Sequence, residues 1–360
     1  MTVPLYSDHE KPSCCDGNQG LWFERFFDQY DDNHHWEVLK PTTNNNQMGN
    51  TYWLLKHFNN KTIGDKEQLV RHNAAQSVLA TSLQGQSPIF KASGYFVTGM
   101  GNSHPVENGF AWHPTLGVPY LTGAAVKGFI RSYIENWLDD SPENKQDLLL
   151  KWFGSIDKDP QISGGKMQAG ELIFFDALPI QPVTLGVDIM TPHMGKWYEK
   201  GGDITDAARQ PEAVPADWHD PVPVAFLVAK AITLQFSFAL RRPNSGIDLN
   251  DVKQALTLAL EHAGAGGKTA TGYGGMHVEI LSCPWVDETI QALATKNRVP
   301  ENKRDQVIYG KGLAEAWQAL TDETVKKAAL TDIRSRWKSD MWDDPQGGSV
   351  KAAKKIYSGL

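Results

Sequence analysis

Residues 231–240 read Ala-Ile-Thr-Leu-Gln-Phe-Ser-Phe-Ala-Leu. Ile232, Leu234, Phe236, Phe238 and Leu240 alternate with Thr233, Gln235, Ser237 and Ala239, the two-residue period of a strand with one face on a core. Downstream the period changes. Val252, Leu256, Ala259, Leu260 and Ala263 make a helical stripe, with Asp248 placed to cap its start and Gly264 its end. Residues 276–281, Met-His-Val-Glu-Ile-Leu, alternate again. Upstream, residues 93–98 (Ser-Gly-Tyr-Phe-Val-Thr) suit a strand that runs into the loop Gly99-Met-Gly101. A helix from about Thr122 carries the stripe Val126, Phe129, Ile130, Tyr133, Ile134 and Trp137, and residues 170–177 (Gly-Glu-Leu-Ile-Phe-Phe-Asp-Ala) read as a buried strand. The order is β-α-β, an interruption over about 178–222, then β-α-β.

That split order predicts an α+β protein with a ferredoxin-like (RRM-type) βαββαβ core over 89–283. Residues 1–88 form a mostly helical extension, with Trp22, Phe23, Phe26, Phe27 and Tyr30 at helical spacing and a second helix over about 62–80. A polar loop, 40–47, lies between them. Residues 284–360 form a C-terminal helical segment, with one or two helices over 314–337 that bury Leu320, Val325, Leu330 and Ile333. Over 296–360, 13 Lys or Arg face 9 Asp or Glu, a small surplus that a solvated helix face explains.

Hydrophobic residues make up 41% of the 360-residue chain and charged residues 21%, which excludes a wholly disordered protein. A net charge of −7 excludes a uniformly basic surface, so any nucleic-acid contact must come from local clusters. Cys14, Cys15 and Cys283 cannot build a disulfide framework, which fits a reducing compartment. There is no run of 18 apolar residues, and residues 1–13 lack the basic start and apolar run of a secretory signal. A cytoplasmic protein is expected.

Three stretches carry chemistry. Residues 264–275, Gly-Ala-Gly-Gly-Lys-Thr-Ala-Thr-Gly-Tyr-Gly-Gly, hold six glycines in twelve positions. The Gly-Gly-Lys-Thr core is not a nucleotide phosphate loop: His262 stands where the required glycine would be, and a helix enters where a strand should. Gly264, Gly266 and Gly267 instead let backbone N–H groups approach a polyanion, Lys268 adds charge, and Thr269, Thr271 and Tyr273 offer hydroxyls, with Tyr273 also able to stack on a base. In the second stretch, residues 117–131, a Gly/Pro loop feeds a helix whose first turn holds Gly123, Ala124 and Ala125. Its free N–H groups, with Lys127 and Arg131 one turn apart, can receive phosphate. On the same face Glu135 is spaced to pair with Arg131. The third stretch is the interruption, dense in proline and glycine between Pro179 and Gly201, where His193, Lys196, Trp197, Tyr198 and Lys200 mix aromatic and cationic groups.

The run from Gly99 to Arg131, with Gly109, Gly117-Val-Pro-Tyr and Gly123-Ala-Ala-Val-Lys-Gly-Phe-Ile-Arg, resembles the first motif of the RAMP superfamily. Residues 170–177, the stretch Asp188-Ile-Met-Thr-Pro-His-Met194 with Tyr198, and the loop 264–275 are similar, in order, to the sixth-subunit family of the Cmr complex, the type III-B CRISPR effector. Ala124 and Ala125 stand where that family tends to have serine, and Met194 where it has an aromatic.

The resemblance implies a Cas7-like fold with an inserted thumb at about 178–222. It implies a non-catalytic, guide-RNA-binding subunit in antiviral defence that caps the backbone filament near the guide 3′ end. The implied partners are CRISPR guide RNA and target RNA, the backbone RAMP subunit, the small helical subunit and the neighbouring capping subunit, with no cofactor and no membrane. The RNA-binding set is then Lys127, Arg131, Gly123 and Ala124 with Gly264, Gly266, Gly267, Lys268, Thr269, Thr271 and Tyr273. His193, Lys196, Trp197 and Tyr198 stand in the thumb.

Two other readings stay open. A metal-independent endoribonuclease that processes CRISPR RNA needs an acid–base pair around the 2′-OH, for which His104, His113, His193, His262 and His277 are candidates by type. A purely architectural subunit needs only protein partners. Metal ligation is disfavoured: Cys14 and Cys15 with His34 and His35 lack ligand spacing, Cys283 stands alone, and Asp176 and Asp188 are isolated carboxylates.

Overall fold

The computed structural model describes residues 17–31, 36–41, 47–155, 167–215, 219, 221–279 and 282–358. Cys14, Cys15, His34, His35 and most of the 40–47 loop lie outside them. The chain divides into two units, Met1–Val278 and Glu279–Leu360.

In chain order the first unit comprises α1 (Gln19–Arg25), α2 (Gly49–His57), β1 (Thr62–Ile63), α3 (Lys66–Ser82), β2 (Ile89–Ala92), β3 (Tyr95–Phe96), α4 (Gly123–Trp137) and α5 (Pro142–Phe153). It continues with β4 (Leu172–Phe174), β5 (Leu178–Pro179), β6 (Val183–Met190), α6 (Gly195–Lys200), β7 (Val224–Lys230), β8 (Thr233–Gln235), β9 (Phe238–Leu240), α7 (Leu249–Leu258) and β10 (Met276–Val278). One four-stranded sheet runs β10-β2-β8-β5, a second runs β1-β6-β7-β3, and β4 pairs with β9. Every pairing is antiparallel.

The 231–240 stretch is a strand pair, but its alternation does not mark a solvent face. Thr233, Gln235 and Ser237 are as buried as Leu234 and Phe236. α3 covers them: the Gln235 amide donates to the Asn73 carbonyl at 3.1 Å, and the Asn73 amide donates to the Pro179 carbonyl at 2.8 Å. On the other side Phe236 meets Phe129 of α4 and Phe90 of β2 edge-on. Gln235 and Ser237 therefore serve buried hydrogen bonds rather than water, as burial of polar atoms demands.

α4 and α7 form where the stripes place them. Thr122 caps α4 by accepting the Ala125 N–H, and Asp248 caps α7 by accepting the Asn250 N–H. Val126, Ile130, Tyr133 and Ile134 are buried, whereas Trp137, in the last turn, is 72% exposed. α7 relaxes into a π-turn over Ala259–Ala263 and stops at Gly264, whose φ of +73° suits glycine.

Two boundaries differ from the sequence expectation. The N-terminal helices share the sheet's core instead of extending from it: Trp22, Phe23, Trp53 and Phe58 lie in one cluster with Phe96, Leu185 and Phe226. Trp22 stacks on Trp53 at 5.3 Å. The interruption at 178–222 is also largely sheet at its start, since β5 and β6 run through Met190 and β7 begins at Val224. Between β6 and β7 lie residues 191–223, with α6 inside them.

The second unit is helical: α8 (Pro284–Lys296), α9 (Lys311–Gln318), α10 (Glu323–Arg336), α11 (Ser339–Asp343) and α12 (Gly348–Tyr357), with a 3₁₀ segment at Glu301–Tyr309. Its own core gathers Val286, Leu313, Ile333, Trp337 and Tyr357. Leu320, Val325 and Leu330 pack against it only in part.

Candidate nucleic-acid interface

The glycine-rich loop is folded against β3. The Gly267 N–H donates to the Val97 carbonyl at 2.8 Å, the Gly274 N–H to the Tyr95 carbonyl at 2.9 Å, and the Ala265 N–H to the Gly274 carbonyl at 2.9 Å. A Cβ at Gly266 would overlap the Val97 carbonyl, and one at Gly274 the Ala265 carbonyl. Much of the glycine content is therefore spent inside the chain, contrary to the expectation of a freely exposed amide cradle. Gly272 and Gly275 alone in the loop have open space around them.

The loop's functional side chains turn to the base of the β6–β7 hairpin. The Lys268 ammonium sits 5.2 Å from the centre of the Phe226 ring and 3.9 Å from the Met190 sulfur, where β6 leaves the sheet. The Tyr273 hydroxyl donates to Asp188 of β6, and its ring lies 6.1 Å from Tyr95 and 6.2 Å from Phe226. Burial and then the Asp188 carboxylate push the Tyr273 phenol up to about 12. Thr271 spends its hydroxyl on the Lys268 carbonyl at 2.8 Å. Tyr95, 41% exposed, opens this cluster to solvent. Sequence reasoning missed Tyr95, Asp188 and Phe226 as neighbours of the loop, because only the fold brings three strands to it.

His193, Lys196, Trp197 and Tyr198 stand in and before α6, directly beyond Met190. Tyr198 is 78% exposed, and Trp197 packs on Gly201. The structure thus joins the loop to the base of the insertion that carries these residues.

It does not join the loop to residues 122–131. Leu121 pairs with Ala177, beside the edge strand β5, while the loop enters the opposite edge strand β10. Register adds a second offset: Leu178 is level with Gln235, and Lys91, two residues before Ser93, is level with Thr233. Three strand spacings and about five residues of strand separate the two turns, roughly 14 Å across and 16 Å along. The two turns of the RNA-binding set that the resemblance implies therefore do not lie side by side. The α4 N-terminus is also occupied, since the Gly123 N–H donates to Asp176 at 2.7 Å and the Ala125 N–H to Thr122 at 3.1 Å. An acidic side chain of the protein holds the place proposed for a phosphate. Arg131 pairs with Glu135 at 2.7 Å as its spacing predicts, and Lys127 has no ion-pair partner among the described residues.

The histidines separate into two kinds. His104 donates from Nε2 to the Phe23 carbonyl at 2.9 Å, accepts the Val106 N–H on Nδ1 at 3.2 Å, and stacks on Phe23. Burial holds its pKa below the usual histidine value. His113 accepts the Leu116 N–H at 3.2 Å and meets Tyr120 edge-on; burial lowers its pKa against the opposing pull of Asp176. His262 and His277 are instead exposed and line a 340 Å³ pocket with Ser93, Thr269 and Tyr273 on the flank of the glycine-rich loop. Among the described residues no group of three or more His, Cys, Asp and Glu side chains is placed to hold a metal.

Residues 82–277 match the RAMP superfamily, more than half of the chain, and the chain belongs to that superfamily. Within it, the chain is 28% identical over 246 residues to the CRISPR system Cmr subunit Cmr6 of Pyrococcus furiosus, covering 54% of this chain and 68% of that one. It is 25% identical over 169 residues to the Cmr6 subunit of Saccharolobus solfataricus, covering 46% and 47%. A chain in the cryo-EM structure of the type III-B Cmr-beta complex bound to cognate target RNA aligns over 60% of this chain and 66% of its own length, at 19% identity and a TM-score of 0.43. No helix among the described residues is long and apolar enough to cross a membrane.

Proposed function

We propose that this protein is a Cmr6-like, non-catalytic RNA-binding subunit of a type III-B CRISPR effector, capping the backbone filament near the guide 3′ end. Its partners are the guide and target RNA and the neighbouring subunits of the complex. The sheet order β10-β2-β8-β5, with every pair antiparallel, supports a ferredoxin-like core: these are the fourth, first, third and second strands of a βαββαβ unit. The segment 191–223 between β6 and β7 then takes the place of the thumb.

One observation carries the RNA reading. The Gly-rich loop and the insertion base form a continuous surface with a cation (Lys268), two ring-bearing side chains in contact (Tyr95 and Tyr273), and exposed Trp197 and Tyr198 beyond it. Rings of this kind stack on bases of any sequence, and Lys268 and Lys196 neutralise phosphate. Gly264, Gly266 and Gly267 shape the loop, and Thr269 and Thr271 stand along it. Lys268→Gln in the assembled complex is expected to weaken guide-RNA retention several-fold, alike for all sequences, with a shallower salt dependence. Unchanged retention and salt slope would contradict the assignment.

The pocket of His262 and His277 favours one second reading, a metal-independent endoribonuclease. Both rings are exposed beside the loop, whereas His104 is committed to the fold. Cleavage of repeat RNA without metal, lost in His262→Ala or His277→Ala, would establish that reading over the first.

A further inference from the structure

Where α4, α5 and the end of β9 meet, five cations gather away from the glycine-rich loop. Arg131 of α4 places Nη1 3.4 Å from the carbonyl of Gly154, which caps α5. Three residues earlier, the Lys151 carbonyl accepts the Glu171 N–H at 2.9 Å, and the Glu171 carbonyl accepts the Arg241 N–H at 2.7 Å. These main-chain bonds set Lys151, Arg241 and Arg242 side by side, and Lys127 lies one turn before Arg131 on α4.

Glu171 organises the group. Its residue is 5% exposed, and its carboxylate accepts both Nε and Nη2 of Arg242, with Arg241 3.5 Å away. The Arg242 side chain nonetheless stays 67% exposed. Lys151 reaches over the following turn to donate to the Gly246 carbonyl at 2.8 Å. One carboxylate is thus shared by two guanidinium groups, and neither Lys127 nor Lys151 has a carboxylate within ion-pair distance among the described residues. Guanidinium forks fixed in advance lose little side-chain freedom when a phosphate arrives.

We propose that Lys127, Arg131, Lys151, Arg241 and Arg242 form a second contact for the phosphodiester backbone of RNA, on a flank separate from the glycine-rich loop. The proposal rests on the RNA-binding reading above and extends it. The surface offers forked and point cations, which suit phosphate oxygens, whereas the core of a protein interface is depleted in charged residues. Arg241 follows the last residue of β9, about ten residues of strand, or roughly 30 Å, from the level of the loop.

The test uses the full chain, a labelled 20-nucleotide oligouridine and the variant Lys151→Gln/Arg241→Gln, which leaves the Arg242–Glu171 pair intact. Kd at low salt is expected to rise about ten-fold, and the slope of log Kd against log salt to fall by about 1.4, for two lost single-strand phosphate contacts. Should this variant melt early, Lys151→Gln alone replaces it, with a slope change of about 0.7 expected. Unchanged Kd and slope overturn the proposal. If Lys268→Gln weakens binding while the double variant does not, this second contact fails and the first reading stands; if neither does, both fail. Normal RNA binding with lost co-purification of a neighbouring subunit also overturns it, in favour of an acidic protein partner.

Discussion

Tyr273 and His104 show how one chain uses ionisable groups in opposite ways. Tyr273 keeps its proton to donate to Asp188, tying the glycine-rich loop to β6. Asp188→Asn removes the charge that favours the neutral phenol, so the Tyr273 pKa is expected to move from about 12 toward the ordinary 10. Titration of ¹³Cζ-tyrosine signals checks this, and an unmoved pKa would sever the link. His104 is held neutral by burial and its Val106 N–H bond. The unfolded chain protonates this ring near pH 6.5 and the folded chain only at lower pH. Stability is therefore flat above about pH 7 and falls as pH drops below about 6.5, until the folded ring also protonates. His104→Gln is expected to flatten that acid limb in denaturant titrations and to leave RNA affinity unchanged.

Within the loop, neighbouring glycines have different tasks. Gly274 has φ +70° and would drive a Cβ into the Ala265 carbonyl, so Gly274→Ala is expected to destabilise by about 1–3 kcal/mol and to unseat the loop. Gly275 has open space and no positive φ. Gly275→Ala is expected to leave melting within about 0.5 kcal/mol yet weaken RNA binding wherever the backbone is closely approached; equal losses at both positions in melting would contradict this division. The glycine run was legible in sequence, but not which glycines the fold consumes, because Val97 and Ala265 become neighbours only through the β3 docking. The caps at Asp248 and Gly264 and the Arg131–Glu135 pair were legible because each depends on residues within a turn. The occupied α4 N-terminus was not, since Asp176 arrives from 53 residues away.

Each unit carries a large core, one around the sheets and one in the helical unit, and a smaller cluster of Leu69, Leu116, Val118 and Leu178 lies in the first. Ile333→Ala is expected to cost about 2–5 kcal/mol, seen calorimetrically as a lowered transition for residues 279–360 with RNA affinity retained. A matching loss of RNA affinity would tie the helical unit to the site. At this scale the split β-α-β order read correctly as mixed helix and sheet, but the stretches 93–98 and 170–177 supply β3 and β4 rather than strands of the β10-β2-β8-β5 sheet, and β6, the long strand of the second sheet, hid inside the supposed interruption. β6 carries Gly186 and is bounded by Pro182 and Pro192, so its composition resembled a loop until pairing with β7 supplied the ladder. The two turns of the implied RNA-binding set, both rich in small residues, likewise could not be placed from sequence, because sheet order and register set them on opposite edges. Hydrogen exchange of the full chain with and without single-stranded RNA tests the central claim most directly. Slowed exchange at 264–275 together with 191–200, and none at 122–125, is predicted; slowed exchange at 122–125 with none at 264–275 would contradict it.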